Sequence, residues 1–288
     1  MTEIKTLIPD IYRMVGSQEN WLTNDITAKF VSELSIKLQE SFREKEGPRL
    51  RLSQMGPKCP SELWHSIHSP LLAEPLPAWA RIKYTYGHIL EALVIAMAKA
   101  AGHEVTGEQD AVSVDGIIGH RDCVIDGCLV DVKSAASRSF QKFKDGTIAS
   151  EDTFGYLDQL DGYLVGSASD PLVRVKDKGY LLAIDKQLGH MCLYEHHLRE
   201  ESIRKRIRDY RAIVSLDKAP TCTCETIPEG KSGNIKLGIK SSYNAFKYCC
   251  NPRLRTFLYA SGPIYLTKVV RRPDVVEIDR NGKVVVYA

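Results

Sequence analysis

The stretch GHRDCVIDGCLVDVKSA, residues 119–135, constrains the fold more than any other. Asp126-Gly127 separates two apolar runs, and a two-residue hairpin turn between such runs needs positive φ at both central positions, which Asp-Gly tolerates. Facing pairs in such a hairpin have residue numbers of constant sum. Asp122 therefore faces Asp131, and His120 faces Lys133. Residues two apart share a face of a strand, so His120, Asp122, Asp131 and Lys133 form one patch in otherwise apolar strands. Directly opposed carboxylates repel each other, and burial makes that repulsion costly unless a cation intervenes. An edge hairpin with solvated charges neutralised by Lys133 is one solution, but the apolar residues on both faces argue against an open edge. The other is a hard divalent cation on oxygen ligands, typically Mg²⁺ or Mn²⁺.

The surrounding pattern supplies the rest of an α/β core. Asn24 or Asp25 can cap a helix running to about Glu46, with Ile26, Phe30, Leu34 and Leu38 at four-residue spacing. A short helix follows Pro60. A strongly periodic helix spans Arg81 to Ala101 and ends at Gly102. The period then changes from 3.6 to 2, and HEVTGE, VSVDGIIG, HRDCVI and CLVDVKSA read as successive short strands. A helix follows over Asp152–Ser167, then strands near Gly179–Ile184 and Met191–Glu195 and a charged helix over Arg199–Val214. Residues 219–254 have weak periodicity, and VVEIDRNGKVVVYA closes the chain as a hairpin around Asn281-Gly282. The expected organisation is an N-terminal helical extension (1–80), an α/β core (81–215) and a C-terminal extension (216–288) packed on it as one unit.

Four elements in this order resemble the PD-(D/E)XK nuclease superfamily, and more specifically its RecB-type branch, which includes phage and CRISPR-associated RecB-like exonucleases. Gly87-His88-Ile89-Leu90-Glu91 lies on the helix before the hairpin, where that branch carries a Glu or His. Asp122 and Asp131-Val132-Lys133 lie in the hairpin. Gln159-Leu-Asp-Gly-Tyr163 matches the Q-x-x-x-Y motif of the following helix, at i and i+4 on one face. The resemblance covers about residues 81–196. It implies a restriction-endonuclease-like core, with a central mixed sheet flanked by helices, and a Mg²⁺- or Mn²⁺-dependent deoxyribonuclease, more an exonuclease than an endonuclease. Glu91, Asp122, Asp131 and the Val132 carbonyl would be the metal ligands, with His88 supporting them. Lys133 would act on the nucleophile and the transition state, and Gln159 and Tyr163 would hold a phosphate. A structure-specific endonuclease and a catalytically idle binding member of the fold stay open as alternatives.

DNA is the implied partner, with a recombination protein as a further one. Cations before the first core helix (Arg49, Arg51, Lys58, Arg81, Lys83) could meet phosphates, with Trp64 and Tyr84 available to stack on bases. The helix carrying Arg204, Lys205, Arg206, Arg208 and Arg211 is either a solvated face or a second basic contact. The whole chain does not decide this, because 39 basic residues against 36 acidic ones leave a net charge of only +3. No apolar run approaches the length of a membrane span. MTEIKTLIPD has no secretory character, so a cytoplasmic location, or a host cytoplasm for a viral protein, is expected.

Of the eight cysteines, Cys123, Cys128 and Cys192 read as core filler. Cys59, Cys222, Cys224, Cys249 and Cys250 stand where metal ligands could sit. RecB-type nucleases often carry an iron–sulfur cluster on one Cys before the core and three after it. Cys59 matches the first. In the later pattern, C-x-x-C-x-F-K-x-x-C, Ser241 and Asn244 take the first two slots and Cys250 the last, and such oxygen ligands suit a soft cluster poorly. Cys222-Thr-Cys224 could substitute, but its distance from Cys249-Cys250 fits no common site. The expectation is a metal-free terminal lobe, with an iron–sulfur cluster or zinc as alternatives.

Overall fold

The computed structural model describes residues 2–17, 19–42 and 47–286. In chain order the elements begin with α1 (Leu7–Gly16), α2 (Asn24–Phe42), α3 (Pro60–His68) and α4 (Ala78–Ala100). Five strands follow: β1 (Val105–Thr106), β2 (Ala111–Val114), β3 (Ile117–His120), β4 (Cys123–Ile125) and β5 (Cys128–Ala135). Then come α5 (Ser137–Lys144), α6 (Ile148–Glu151), α7 (Tyr156–Gly166), β6 (Lys178–Asp185), β7 (Met191–His197) and α8 (Glu200–Val214). The chain finishes with β8 (Thr226–Glu229), β9 (Asn234–Leu237), α9 (Ile239–Ser242), α10 (Lys247–Cys250), β10 (Arg255–Tyr259), β11 (Gly262–Lys268) and β12 (Val276–Ile278). The expected end of α2 at Glu46 lies outside the described residues. Two compact units interleave along the chain: residues 1–56 with 76–205, and residues 57–75 with 206–288.

The first unit is a mixed α/β fold, with a central mixed sheet flanked by helices. The strand order is β1-β4-β5-β6-β7. β5 and β6 are parallel and the other pairs antiparallel. The β4–β5 hairpin has the register read from sequence, Cys123 facing Val130 and Ile125 facing Cys128. Its turn residues both have positive φ, 52° at Asp126 and 78° at Gly127. Asp126 is also held by its side chain, whose Oδ2 lies 2.6 Å from His103 Nδ1 while Oδ1 accepts the Glu104 N–H at 3.1 Å.

Alternation along β5 divides its residues between two faces. Cys128, Val130 and Val132 join a core with Val94, Ile95 and Ala98 of α4 and Leu7 and Ile11 of α1. Leu129, Asp131 and Lys133 point to the other face, towards α7. A parallel pair cannot be closed by a tight turn, and the β5–β6 crossover carries α5, α6 and α7. The sequence reading had neither α5 nor α6. α7 starts later than expected: its N-cap is Gly155, and the Asp152 carboxylate, three residues ahead, accepts the N–H groups of Gly155, Tyr156 and Leu157 at 2.8, 3.0 and 2.8 Å.

VSVDGIIG is not one strand. Asp115-Gly116 makes a second positive-φ turn, and β2 and β3 form a separate two-stranded ribbon. This corrects the expected position of His120, which pairs with Ala111 and does not face Lys133. The chain leaves the ribbon at Arg121, whose fully buried guanidinium binds the Gly107 carbonyl, Asp110 and Asp170.

The second unit contains a five-stranded antiparallel sheet, order β12-β10-β11-β9-β8, where sequence suggested a largely irregular extension. The terminal hairpin is reduced to one bridge, Ile278 with Val284, around the Asn281-Gly282 turn. Residues 57–75 are tied into this unit by Lys58 N–H to Tyr210 Oη at 2.9 Å, Trp64 Nε1 to the Leu216 carbonyl at 2.8 Å, and a Lys247–Glu74 ion pair. Among the described residues no helix is long and apolar enough to cross a membrane.

Candidate active site

The hairpin brings Asp122 and Asp131 together as its register requires. Each carboxyl feels the other's charge, and Asp122 Oδ2 accepts the Val132 N–H at 2.7 Å. Val132 turns its side chain into the core. Lys133 Nζ stands 2.5 Å from Asp131 Oδ2, but out of hydrogen-bonding alignment. That buried oxygen therefore lacks a well-aligned donor among the described residues. The Lys133 ammonium also lies 5.0 Å from the centre of the Tyr156 ring.

α7 supplies one wall. Gln159 Nε2 donates to Tyr163 Oη at 2.9 Å and reaches Asp131 Oδ1 at 3.4 Å. Tyr156, Gln159 and Tyr163 form one stripe of this helix, and Tyr156 is the member that sequence reading left out. The opposite face of α7 is fixed by charge: Asp161 meets His196 Nε2 at 2.8 Å and Arg199 at 2.7 Å, and Asp158 meets Arg199 at 3.1 Å.

Glu91, on α4, is 12% exposed at its side chain and held by Lys37 Nζ at 2.5 Å and Gln109 Nε2 at 2.9 Å. His88 Nδ1 is 3.9 Å from its other oxygen, one turn away on the same face. Lys37 comes from α2, and no sequence signal connected it to the acidic patch. Beside Tyr163 a small pocket is lined by Arg49, Arg51, Ser53, Ile118, Gly119 and His120. His120 thus borders the site without joining the carboxylates. Arg81, Lys83 and Tyr84 are exposed on the first turns of α4. Lys58 and Trp64 belong to the second unit, where Lys58 pairs with Glu62 at 3.0 Å and Trp64 stacks on His68 at 4.3 Å. Arg204 is paired with Glu200 at 2.8 Å.

The charges are mutually constrained. Burial, then the negative charges of Glu91 and Asp131, push the Asp122 carboxyl well above the usual carboxylate range. Burial also raises Asp131, against the pull of Lys133. Burial works to raise Glu91 too, but the neighbouring His88 and the Lys37 ammonium outweigh it and leave Glu91 below its ordinary value. Burial acts to lower Lys133, and Asp131 with Asp122 overcomes it, so that Lys133 is raised and stays an ammonium.

Two opposed carboxyls, one with a buried oxygen that has no aligned hydrogen-bond donor, and a third carboxylate on α4 are hard oxygen donors of the kind that suits Mg²⁺ or Mn²⁺. Glu91 stands further from the pair. Among the described residues, the group of His, Cys, Asp or Glu whose donor atoms all lie within 4.8 Å of one another is Cys59, Cys222, Cys224 and Cys250, in the second unit. These are the four cysteines that sequence reading kept as the ligands of its alternative metal site, beside its expectation of a metal-free lobe.

No known family matches the chain, and no curated protein matches it. Among solved structures, the chain is similar to a protein designated SSO0001, at 17% identity and a TM-score of 0.38, over 69% of this chain and 89% of that one. It is also similar to an alkaline exonuclease, LHK-Exo, from Laribacter hongkongensis, at 11% identity and a TM-score of 0.34, over 66% of this chain and 91% of that one.

Proposed function

We propose that the chain is a Mg²⁺- or Mn²⁺-dependent DNA nuclease that hydrolyses phosphodiester bonds, acting from DNA ends as an exonuclease in recombination or DNA degradation. The observation that carries this reading is the mutually repelling pair Asp122 and Asp131, with the Lys133 ammonium beside it and Gln159 reaching Asp131 from α7. Such a pair is destabilising in a structural core and is accounted for by a cation held between the two carboxylates. Glu91, Asp122, Asp131 and the Val132 carbonyl would hold the ion, and His88 would orient Glu91. When bound, a divalent ion lowers the pKa of a water and withdraws charge from phosphoryl oxygens.

The chain's own groups divide the remaining work. Lys133 keeps its proton between two carboxylates, so its part is to bind a phosphate oxygen and stabilise charge that grows in the transition state. It is not placed to act as a base. Gln159 directs its two Nε2 hydrogens at Tyr163 Oη and Asp131 Oδ1, so it would reach a neighbouring phosphate by turning away the weaker of them, the 3.4 Å contact to Asp131. Arg49 and Arg51 line the pocket beyond Tyr163 and would meet the backbone further along. Preference for ends over internal bonds rests on the resemblance to RecB-type exonucleases.

One observation favours a second reading. The Lys37 ammonium sits on Glu91 at 2.5 Å, as it would in a catalytically idle, DNA-binding member of such a fold. One assay separates the two. End-labelled linear DNA and closed circular DNA are incubated with the protein in Mg²⁺, Mn²⁺ or EDTA. The proposal expects metal-dependent loss of the linear substrate and survival of the circle. Cutting of the circle would make the enzyme an endonuclease, and binding without cleavage in either metal would establish the idle reading.

A further inference from the structure

Four sulfurs from three separate stretches of the second unit meet at one point. Cys59 lies 163 residues from Cys222 and 191 from Cys250 in sequence, yet their sulfurs are 3.9 and 4.0 Å from that of Cys59. With Cys224, all four sulfurs lie within 4.8 Å of one another. Cys249, next in the chain to Cys250, is not part of the group.

The spacing discriminates between metals. Four sulfurs at about 2.3 Å from a central tetrahedral zinc stand roughly 3.8 Å apart. In a four-iron cluster each thiolate binds a different corner iron, and in a two-iron cluster the two pairs sit on different irons; both hold sulfurs on different irons roughly 6 Å apart. The observed separations match the first arrangement and are too short for either cluster. The iron–sulfur group that the sequence resemblance implies therefore does not fit these residues.

The surroundings are those of a metal thiolate. The Thr223 N–H points at Cys59 Sγ and the Cys224 N–H at Cys222 Sγ, each at 3.3 Å. Asn244 Nδ2 donates to Cys224 Sγ at 3.5 Å and to Cys250 Sγ at 3.4 Å. Asn244, which sequence reading set in the slot of a missing ligand, is thus a donor to two ligands. Such outer hydrogen bonds fix and tune metal-bound groups. Cys59 also occupies the N-cap of α3, where the helix dipole favours a thiolate.

We infer that Cys59, Cys222, Cys224 and Cys250 bind a single structural Zn²⁺ that staples residues 57–75 to the rest of the second unit. The site is closed by four protein ligands, as structural zinc sites are. This inference is independent of the proposed activity.

The test is metal analysis of the full chain, expressed with both iron and zinc supplied and purified without oxygen. The expected result is one zinc per chain, no acid-labile sulfide and no visible absorbance. Co²⁺ exchanged into the site should then give the intense visible bands of a tetrahedral tetrathiolate. Cys250→Ser should lose the zinc, whereas Cys249→Ser should keep it. Should Cys250→Ser fail to fold, Asn244→Ala keeps every sulfur and should weaken zinc binding by about 10–100-fold in competition with a chromophoric chelator. Iron with stoichiometric sulfide, iron alone, or metal-free protein whose four cysteines titrate as thiols or are paired as disulfides would each overturn the assignment. So would equal loss of zinc in Cys249→Ser and Cys250→Ser.

Discussion

Asp122→Asn offers the sharpest test of the acidic pair, because it should raise the stability of the metal-free protein while abolishing its activity. Asparagine keeps an oxygen to accept the Val132 N–H that Asp122 now accepts at 2.7 Å, so the substitution removes charge and little else. Two unit charges about 4 Å apart repel by roughly 4 kcal/mol at an effective dielectric constant near 20. The Lys133 ammonium beside Asp131 already offsets part of this, and Asp122 keeps a little exposed surface. The expected gain is therefore about 1–3 kcal/mol at pH 8 in EDTA, or a melting shift of several degrees for a chain of this size. Its pH dependence follows from the direction of the shifts. Both carboxyls titrate above their ordinary value of 3.8 in the folded state. Near that value they are protonated in the folded protein and their charge costs folding nothing. The cost grows as pH rises through the elevated folded pKa values and is complete above them. The advantage of Asn should thus be absent near pH 4 and full at pH 8. Added Mn²⁺ should stabilise the wild type and leave the variant unmoved. Thermal unfolding at several pH values, with EDTA or Mn²⁺, measures all of this. A variant less stable than wild type at pH 8 in EDTA, or a gain that does not change with pH, would refute the argument.

Three further substitutions probe separate parts of the first unit. Lys133→Ala removes no oxygen ligand, so stabilisation by Mn²⁺ should persist while single-turnover cleavage falls by about 10²–10⁴-fold; unchanged cleavage would remove Lys133 from the mechanism. Arg121→Met deletes a fully buried guanidinium bound to Asp110 at 2.8 Å and Asp170 at 2.6 Å. Both carboxylates can rehydrate, which sets the expected loss at the lower end for a broken buried pair, about 3 kcal/mol in urea unfolding. In Gly119→Ala the new methyl would stand 2.7 Å from both Leu52 Cβ and Tyr163 Cε1. Overpacking of about 1–3 kcal/mol is expected, and a displaced Tyr163 should lower cleavage more than it lowers DNA binding.

What could be read from the sequence was whatever depends on short range. The Asp126-Gly127 turn fixes the β4–β5 register within a few residues, and with it the opposition of Asp122 and Asp131. Gln159 and Tyr163 could be read because helical spacing alone puts them on one stripe, and the same spacing would have found Tyr156. His120 was misplaced because a second Asp-Gly turn, at Asp115-Gly116, captures its strand before the first hairpin begins. Lys37 meets Glu91 from 54 residues away, and nothing local in α2 marks that lysine out from its solvated neighbours. The second sheet escaped because its strands are shallowly buried: β8 alternates only between exposed and half-buried residues and β11 is mostly half-buried, so neither carries a strong period-2 signal. The four cysteines of the second unit come together across separations that no spacing rule covers.

The position of the candidate site follows from the pairing of one strand. β5 is antiparallel to β4 on one side and parallel to β6 on the other. The antiparallel side brings a second carboxylate opposite Asp131 through a two-residue turn. The parallel side obliges the chain to cross over the sheet before β6 can form, and that crossover lays α7 on the face of Asp131 and Lys133. The acidic pair and the helix that carries Gln159 and Tyr163 are thus consequences of the same strand. The strand pays for this with two like charges beside one lysine, Lys133, whereas Arg121 is matched by Asp110 and Asp170 and Asp161 by His196 and Arg199. An excess negative charge among matched ones is where stability and the proposed activity would oppose each other. Conservative changes at the matched groups should only destabilise. At Asp122 and Asp131 alone, a change that stabilises the metal-free fold should also remove the activity, and that opposite sign separates a catalytic acidic pair from a structural one.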